Sequence, residues 1–305
     1  MGSSDTENNR INTRRPTGMF VLSMLIFGTV GIVRRYIPLP SALLAFSRGI
    51  LGGAFLLCVM LLRKKGTGAK PRTRELIGLI VTGAVMGINW ILLFEAYNHT
   101  TVAVATLCYY MEPTIIILLS PFVFKERLTA KKGVCAAVSI AGMVLVSGVI
   151  GSGGAQGGSL KGILLGLGAA VFYSAVVILN KKLPETDAYL RTAVMLFSAG
   201  GVMLPYLLFT GGFSLEGANV SSVVLLAVLG VVHTGVAYTL YFGSMGHMKV
   251  QSIAVLSYID PVSALLLSAL FLREPLTLLN IAGAVMIIGA AMLSEININL
   301  RRTHQ

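Results

Sequence analysis

Long apolar runs dominate the chain, and short polar segments punctuate them. Ten runs approach the roughly 20 residues that a helix needs to cross a hydrocarbon core of about 30 Å. They cover 17–33, 41–62, 75–95, 101–122, 133–150, 161–180, 188–209, 220–243, 249–271 and 277–294. The runs are continuous, whereas lipid-facing barrel strands alternate apolar and polar positions. The pattern therefore predicts an all-α integral membrane protein of ten transmembrane helices.

The pattern also repeats. The stretch YYMEPTIIILLSPFVFKERLT, Tyr109 to Thr129, returns as SYIDPVSALLLSALFLREPLT, Ser257 to Thr277. A shift of 148 positions superimposes Phe94 on Phe242, His99 on His247, Tyr110 on Tyr258, Pro113 on Pro261, Glu126 on Glu274 and Thr129 on Thr277. The uncharged, glycine-rich stretch GVIGSGGAQGGSL at 148–160 divides the copies and has the composition of a flexible linker. The organisation predicted is a tail 1–16, a five-helix repeat 17–150, a linker 151–160, a second five-helix repeat 161–295 and a tail 296–305. Five is odd, so the second copy enters the bilayer from the opposite side. Inverted repeats of this kind are common among secondary transporters.

Composition agrees. The 305 residues are 55% hydrophobic and 12% charged, about half the charge of an ordinary soluble domain. So much apolar surface predicts lipid as the solvent. The net charge of +12 sits in short clusters between apolar runs, and no aromatic-plus-basic stacking surface accompanies it. This argues against nucleic acid as a partner. With the N-terminus inside, 18 of the 24 Lys and Arg fall on inside segments and four outside. Inside loops are basic, so both termini are predicted cytoplasmic, in a multi-pass plasma (inner) membrane protein. Cys58, Cys108 and Cys135 lie in apolar runs without metal-pair spacing and read as packing residues. No metal or other cofactor is implied.

The polar residues inside spans carry the candidate chemistry. Glu112 lies about 16 Å into its span, near the midplane, and Asp260 is its repeat mate. A charge at that depth costs about 3 kcal/mol, so each acid faces a cavity, finds a partner or stays protonated. Two readings stand. The acids bind a proton or a cationic substrate group, or they help repair the helix break that Pro113 and Pro261 cause by removing a backbone donor. Arg48 lies several residues inside its span, where it meets a substrate carboxylate, snorkels, or pairs with a neighbouring helix. Asn89, Trp90, Tyr173, Tyr238, Tyr241 and Tyr258 gather near mid-span and either line a cavity or pack; Tyr110, beside Glu112, joins the candidate binding set. Glu126 and Glu274 read as turn-fixing, with Thr129 and Thr277 as N-caps of the following helices. His233 reads as a satisfied packing histidine, Glu95 as an interfacial acid and Arg191 as a snorkelling cation. The pairs Gly49/Gly53, Gly83/Gly87 and Gly162/Gly166 have the spacing of close helix contacts in lipid.

The acid–proline pairs, the apolar runs behind them, the Glu126 and Glu274 turns and the glycine-bearing last helix of each half resemble the EamA family of the drug/metabolite transporter superfamily. Arg48 also matches a basic position often seen in that family's second helix. The resemblance covers about 17–295. It implies a ten-helix carrier with a central cavity between the halves, which exports an amino acid or another small metabolite by alternating access. The second copy departs in having Asp260 where Glu is usual, and Pro275 where the first copy has Arg127. A membrane-embedded enzyme and a channel or receptor are the rival readings. The sequence carries no Walker, H-E-x-x-H or G-x-S-x-G motif.

Overall fold

The computed structural model describes residues 3–62, 72–123, 129–146, 159–184, 186–210, 212–245, 248 and 256–295, and for residues 3–14 the backbone alone. Every regular element among them is helical. In chain order these are α1 (Ser3–Gly28), α2 (Val30–Arg35), α3 (Ser41–Leu62), α4 (Thr73–His99), α5 (Val102–Tyr109), α6 (Glu112–Val123), α7 (Ala130–Val146) and α8 (Leu160–Lys182). Then follow α9 (Ala188–Thr210), α10 (Val220–Gly230), a π-helical segment (Val231–Val236), α11 (Ala237–Met245), α12 (Ile259–Phe271) and α13 (Leu278–Glu295). The turn at Glu126, His247, most of the linker and the C-terminal tail lie outside the described residues.

Seven of the resulting spans are long and apolar enough to cross a membrane: Arg15–Arg35, Ser41–Leu62, Thr73–His99, Val102–Leu119, Leu160–Asn180, Tyr189–Phe209 and Val220–Tyr241. Ile259–Phe271 and Leu278–Ser294 are apolar but shorter. Of the ninth predicted run, 249–271, residues 249–255 lie outside the described set. Within the described part the chain turns at Tyr258 before Asp260–Pro261, and the helix runs from Ile259 to Phe271. Side chains such as Leu61, Leu62, Phe122, Phe209 and Leu278 stand exposed around the bundle. A soluble protein rarely leaves so much apolar surface in water; lipid is its natural cover.

Helix starts follow the predicted capping chemistry. Thr129 Oγ1 accepts from Lys132 N at 3.3 Å, and Thr277 Oγ1 from Asn280 N at 3.1 Å. Thr101 does the same for Val104 N at 3.1 Å, and Asn219 forms a capping box with Ser222.

The main pairings are α3 with α9, α4 with α8 and α9, α7 with α13, α5 with α8 and α12, α1 with α11 and α12, and α3 with α10 and the π segment. The 148-residue shift carries α3 onto α9, α7 onto α13, and α5–α6 onto α12. It likewise carries α4 onto α10–α11 and α1–α2 onto α8. Each pairing therefore joins two related helices or has its related counterpart elsewhere in the bundle. The segments predicted outside also gather at one end: Arg34–Pro40, Tyr97–Thr100, Ser159, Ser214–Glu216 and Glu274 are tied together there by contacts and hydrogen bonds.

Glycine permits the closest contacts, as the predicted small-residue faces require. A Cβ on Gly49 would lie 2.6 Å from both Leu196 O and Gly200 N of α9, and one on Gly83 would lie 2.4 Å from Met195 O. Gly49→Val is expected to destabilise the protein by about 1–3 kcal/mol, because the obstacle is backbone that cannot rotate away. Gly133→Val is the control, since a Cβ there meets nothing within 4 Å. Equal thermal midpoints for the two variants in detergent would refute the tight α3–α9 contact.

Candidate functional site

The two acid–proline pairs each break a helix. Pro113 has no N–H, so α5 stops at Tyr109. Tyr110 N bonds to Thr106 O at 2.9 Å, Met111 N to Cys108 O at 3.1 Å, and the ladder resumes with Ile115 N to Met111 O at 3.0 Å. The second copy turns at Tyr258 and resumes with Val262 N to Tyr258 O at 3.3 Å. Serine hydroxyls lie against the backbone carbonyls of both acids. Ser174 Oγ on α8 donates to Ala170 O at 2.8 Å and shares that proton with Glu112 O at 3.2 Å, and Ser263 Oγ donates to Asp260 O at 2.8 Å.

A hydrogen bond joins the two breaks. Tyr110, in the first half's break, donates its hydroxyl to Asp260 Oδ2 in the second. Tyr109 stacks beside Tyr110 and Tyr173, with ring centroids 5.8 and 5.2 Å apart. Tyr238 and Tyr241 stand against Phe27 at 5.3 and 6.2 Å. Glu112 lies within electrostatic reach of Tyr109, Tyr173 and Tyr241, and Asp260 within reach of Tyr110, Tyr173 and Tyr238. These tyrosines and both acids are half-buried, while Tyr258 is buried. The structure thus collects Glu112, Asp260, Tyr110, Tyr238, Tyr173 and Tyr241 around one polar, aromatic centre. Tyr109 belongs there as well. Sequence reasoning passed over it because it precedes the acid–proline pair by three residues, although the doubled tyrosine in CYYMEP was a visible signal.

Arg48 forms a second part of the same region. It is 6% exposed, and it does not snorkel. Nε donates to Thr234 Oγ1 on the π segment at 2.8 Å, and the guanidinium carbon stands 4.5 Å from the centroid of Trp90 and 5.9 Å from that of Phe94. The π segment turns Thr234 toward α3 and lets its hydroxyl also reach Leu229 O at 3.0 Å. Such segments often mark functional positions. Gly230 and Gly235 at its edges were the one sequence hint of it. Asn89 is fully buried: Nδ2 donates to Ala169 O at 2.6 Å and so ties α4 to α8.

Other residues resolve individually. His233 is satisfied on both nitrogens, at 2.8 Å from Thr29 Oγ1 and 3.2 Å from Val228 O, as the packing reading expects. Arg191 turns back toward its own loop, where Nε donates to Thr186 Oγ1 at 3.3 Å and the guanidinium also reaches the carbonyls of Leu183 and Pro184. That direction, toward the near end of the span, is the one a snorkelling side chain takes. Glu95 accepts from Ser41 Oγ at 2.8 Å and Asn98 Nδ2 at 3.0 Å.

A cleft of about 530 Å³ opens at the end that carries the predicted outside segments. It is lined by Arg34, Arg35, Tyr97, Asn98, Ser214 and Glu216, among others. Arg34 bonds to Ile37 O at 2.8 Å and Asn98 Oδ1 at 3.0 Å. Beside it Glu274 accepts from Val102 N at 2.9 Å and Ala103 N at 3.2 Å, and stands 3.8 Å from Arg35. Glu274 therefore caps α5 of the other half rather than only shaping its own turn.

Comparison with known proteins places these features. The model of the EamA-like transporter family matches residues 17–148 and again 160–295. The chain is 27% identical over 274 residues to the uncharacterized transporter YxxF of Bacillus subtilis, covering 90% of this chain and 87% of that one. It is 30% identical over 196 residues to a probable amino-acid metabolite efflux pump of Salmonella typhimurium, covering 61% of this chain and 64% of the pump. A solved crystal structure superimposes with a TM-score of 0.64 at 21% identity, over 91% of this chain and 97% of that one, which speaks to the fold.

Proposed function

Because the chain belongs to the EamA-like transporter family, we propose that it is a secondary transporter that moves a small metabolite, an amino acid or a related compound, by alternating access. Export is the direction we assign, on the likeness to a protein named as a probable amino-acid metabolite efflux pump. The working unit is ten spans in two inverted five-helix repeats, 17–150 and 161–295. It lies in the plasma (inner) membrane, with both termini cytoplasmic. The mated helix pairings and the single-ended clustering of the predicted outside segments support that topology.

The observation that carries the reading is the Tyr110–Asp260 hydrogen bond, which joins the broken helix of one half to that of the other near mid-span. Helices broken at the midplane, at the interface of two repeats, are where carriers hold substrate and coupling ions. In this reading Glu112 and Asp260 take the proton or a cationic group. Tyr110, Tyr238 and Tyr258 surround the bound molecule, Trp90 and Arg48 form one wall, and Asn89 holds that wall to α8. The lipid bilayer is the structural partner, and proton coupling is part of the proposal.

The test is flux from sealed proteoliposomes loaded with amino acids and small metabolites, with and without an imposed pH gradient. Saturable loss of one compound class, accelerated by the gradient, is the expected result. A product formed without net transport would favour an enzyme instead. Non-saturating flux without counter-exchange would favour a channel.

A further inference from the structure

Arg48 stands out because among the described residues no carboxylate lies within ion-pair distance of it; the ion pairs there are Arg35–Glu274 and Glu95–His99. The side chain is more than nine-tenths buried. A buried, unpaired guanidinium is costly, and removing it from water without a partner is the expensive half of a salt bridge. One face is covered by Trp90 and the Nε edge is used by Thr234. The two Nη atoms have no hydrogen-bond partner among the described residues, and neither is fully buried. A planar fork held by its face and one edge presents its other edge in a fixed direction. That edge matches the two oxygens of a carboxylate.

The charges around that edge narrow the ligand further. Asp260, Tyr109 and Tyr238 feel the Arg48 charge, yet Asp260 is engaged by Tyr110 rather than by Arg48. The guanidinium and the acid therefore lie within electrostatic reach of each other without forming an ion pair, two separate poles that one zwitterion can bridge.

Resting on the carrier reading above, we infer that Arg48 is the specificity-determining residue that binds a free carboxylate of the substrate, end-on through its two Nη atoms. The substrate class is thus a small carboxylate, with any amino group turned toward Asp260. Thr234 and Trp90 are positioning residues: the first fixes the fork's direction, the second holds its face by a cation–π contact. Compounds that lack a free carboxylate leave the guanidinium unpaired and bind weakly.

The experiment uses the purified full chain in detergent. Ligand-induced shifts in thermal midpoint are titrated with amino acids, their methyl esters and the corresponding decarboxylated amines. The wild type is expected to respond to the free acids with at least tenfold lower apparent Kd than to the esters or amines. Arg48→Gln is expected to erase that preference. Arg48→Lys keeps the charge but not the fork, and is expected to retain the fold while weakening acid binding about tenfold; it keeps the test open should Arg48→Gln fail to fold. Equal response of the wild type to acids and esters overturns the inference, as does no response to any acid at millimolar concentration, or a preference that survives in both variants. The carrier reading fails separately: acid-selective binding without flux would retain the Arg48 assignment and discard transport, and saturable flux of esters and acids alike would do the reverse.

Discussion

Asp260→Asn is expected to cut gradient-driven flux by about 10- to 100-fold while leaving the folded yield close to wild type. The substitution keeps the side chain's shape and an oxygen for the Tyr110 hydroxyl, which donates to Asp260 in the native protein. It removes the charge and the exchangeable proton. A hydrogen bond to a charged group contributes about 1.5–3 kcal/mol, and each 1.4 kcal/mol in a barrier is about a factor of ten in rate. Tyr110→Phe supplies the complement. It deletes the contact between the halves but retains the acid, so flux should fall several-fold and still respond to the pH gradient. Glu112→Gln should resemble Asp260→Asn, impairing coupled flux more than folding. The alternative role for the acids was repair of the proline breaks. The carbonyls that lose their helical donor to Pro113 and Pro261 are those four residues back, at Tyr109 and Ser257. A carboxamide at either acid position keeps an N–H donor for that repair while removing the titratable proton. If the Gln and Asn variants lose folded protein in step with flux, the acids are structural and the coupling role is wrong.

The acids, the duplication and the helical class were legible because each leaves a local mark in sequence. Proline marks a lost donor whatever surrounds it, and an apolar run of 20 residues needs no partner to be recognised. The N-caps at Thr129 and Thr277 were legible for the same reason, since donor and acceptor lie three residues apart. Contacts between remote helices leave no such mark. Thr234 looked like one more polar residue in a span. Its meaning comes from Arg48, 186 positions away, and from a π turn that rotates it toward α3. Asn89 looked like a cavity residue by depth, yet its Nδ2 donates to Ala169 O of a helix that begins 71 residues later. Arg191 was read by its distance from a span end, which gives the direction it takes but not its partners, the carbonyls of Leu183 and Pro184. Span lengths were the least legible, because a broken helix and a continuous one have the same apolar content.

Glu274→Ala is expected to destabilise the protein by about 2–3 kcal/mol and to loosen the end of the bundle that carries Arg34 and Arg35. The two oxygens of Glu274 take the N–H groups of Val102 and Ala103, so one carboxylate satisfies two of the orphan donors at the start of α5. Loss of a single cap costs about 0.5–2 kcal/mol, and a negative charge at a helix N-terminus adds about 0.3–1 kcal/mol. The Arg35 contact adds less, because that guanidinium is 38% exposed and 3.8 Å away. Arg273, just before it, holds φ at +54°, a left-handed conformation that costs a non-glycine residue about 1–3 kcal/mol. The turn is strained in the geometry that aims Glu274 at α5. Arg273→Gly should therefore be neutral or stabilising, since glycine adopts that φ freely. Glu274→Gln keeps one acceptor and should lose about half as much stability as Glu274→Ala. Glu274 follows α12 in the second half while α5 belongs to the first, so the cap is also a tie between halves that must part if this end opens. Glu274→Ala should then raise the rate at which a cysteine placed at Tyr109 reacts with a thiol reagent added from that end. A destabilised variant with an unchanged labelling rate would keep the cap and remove its role in opening.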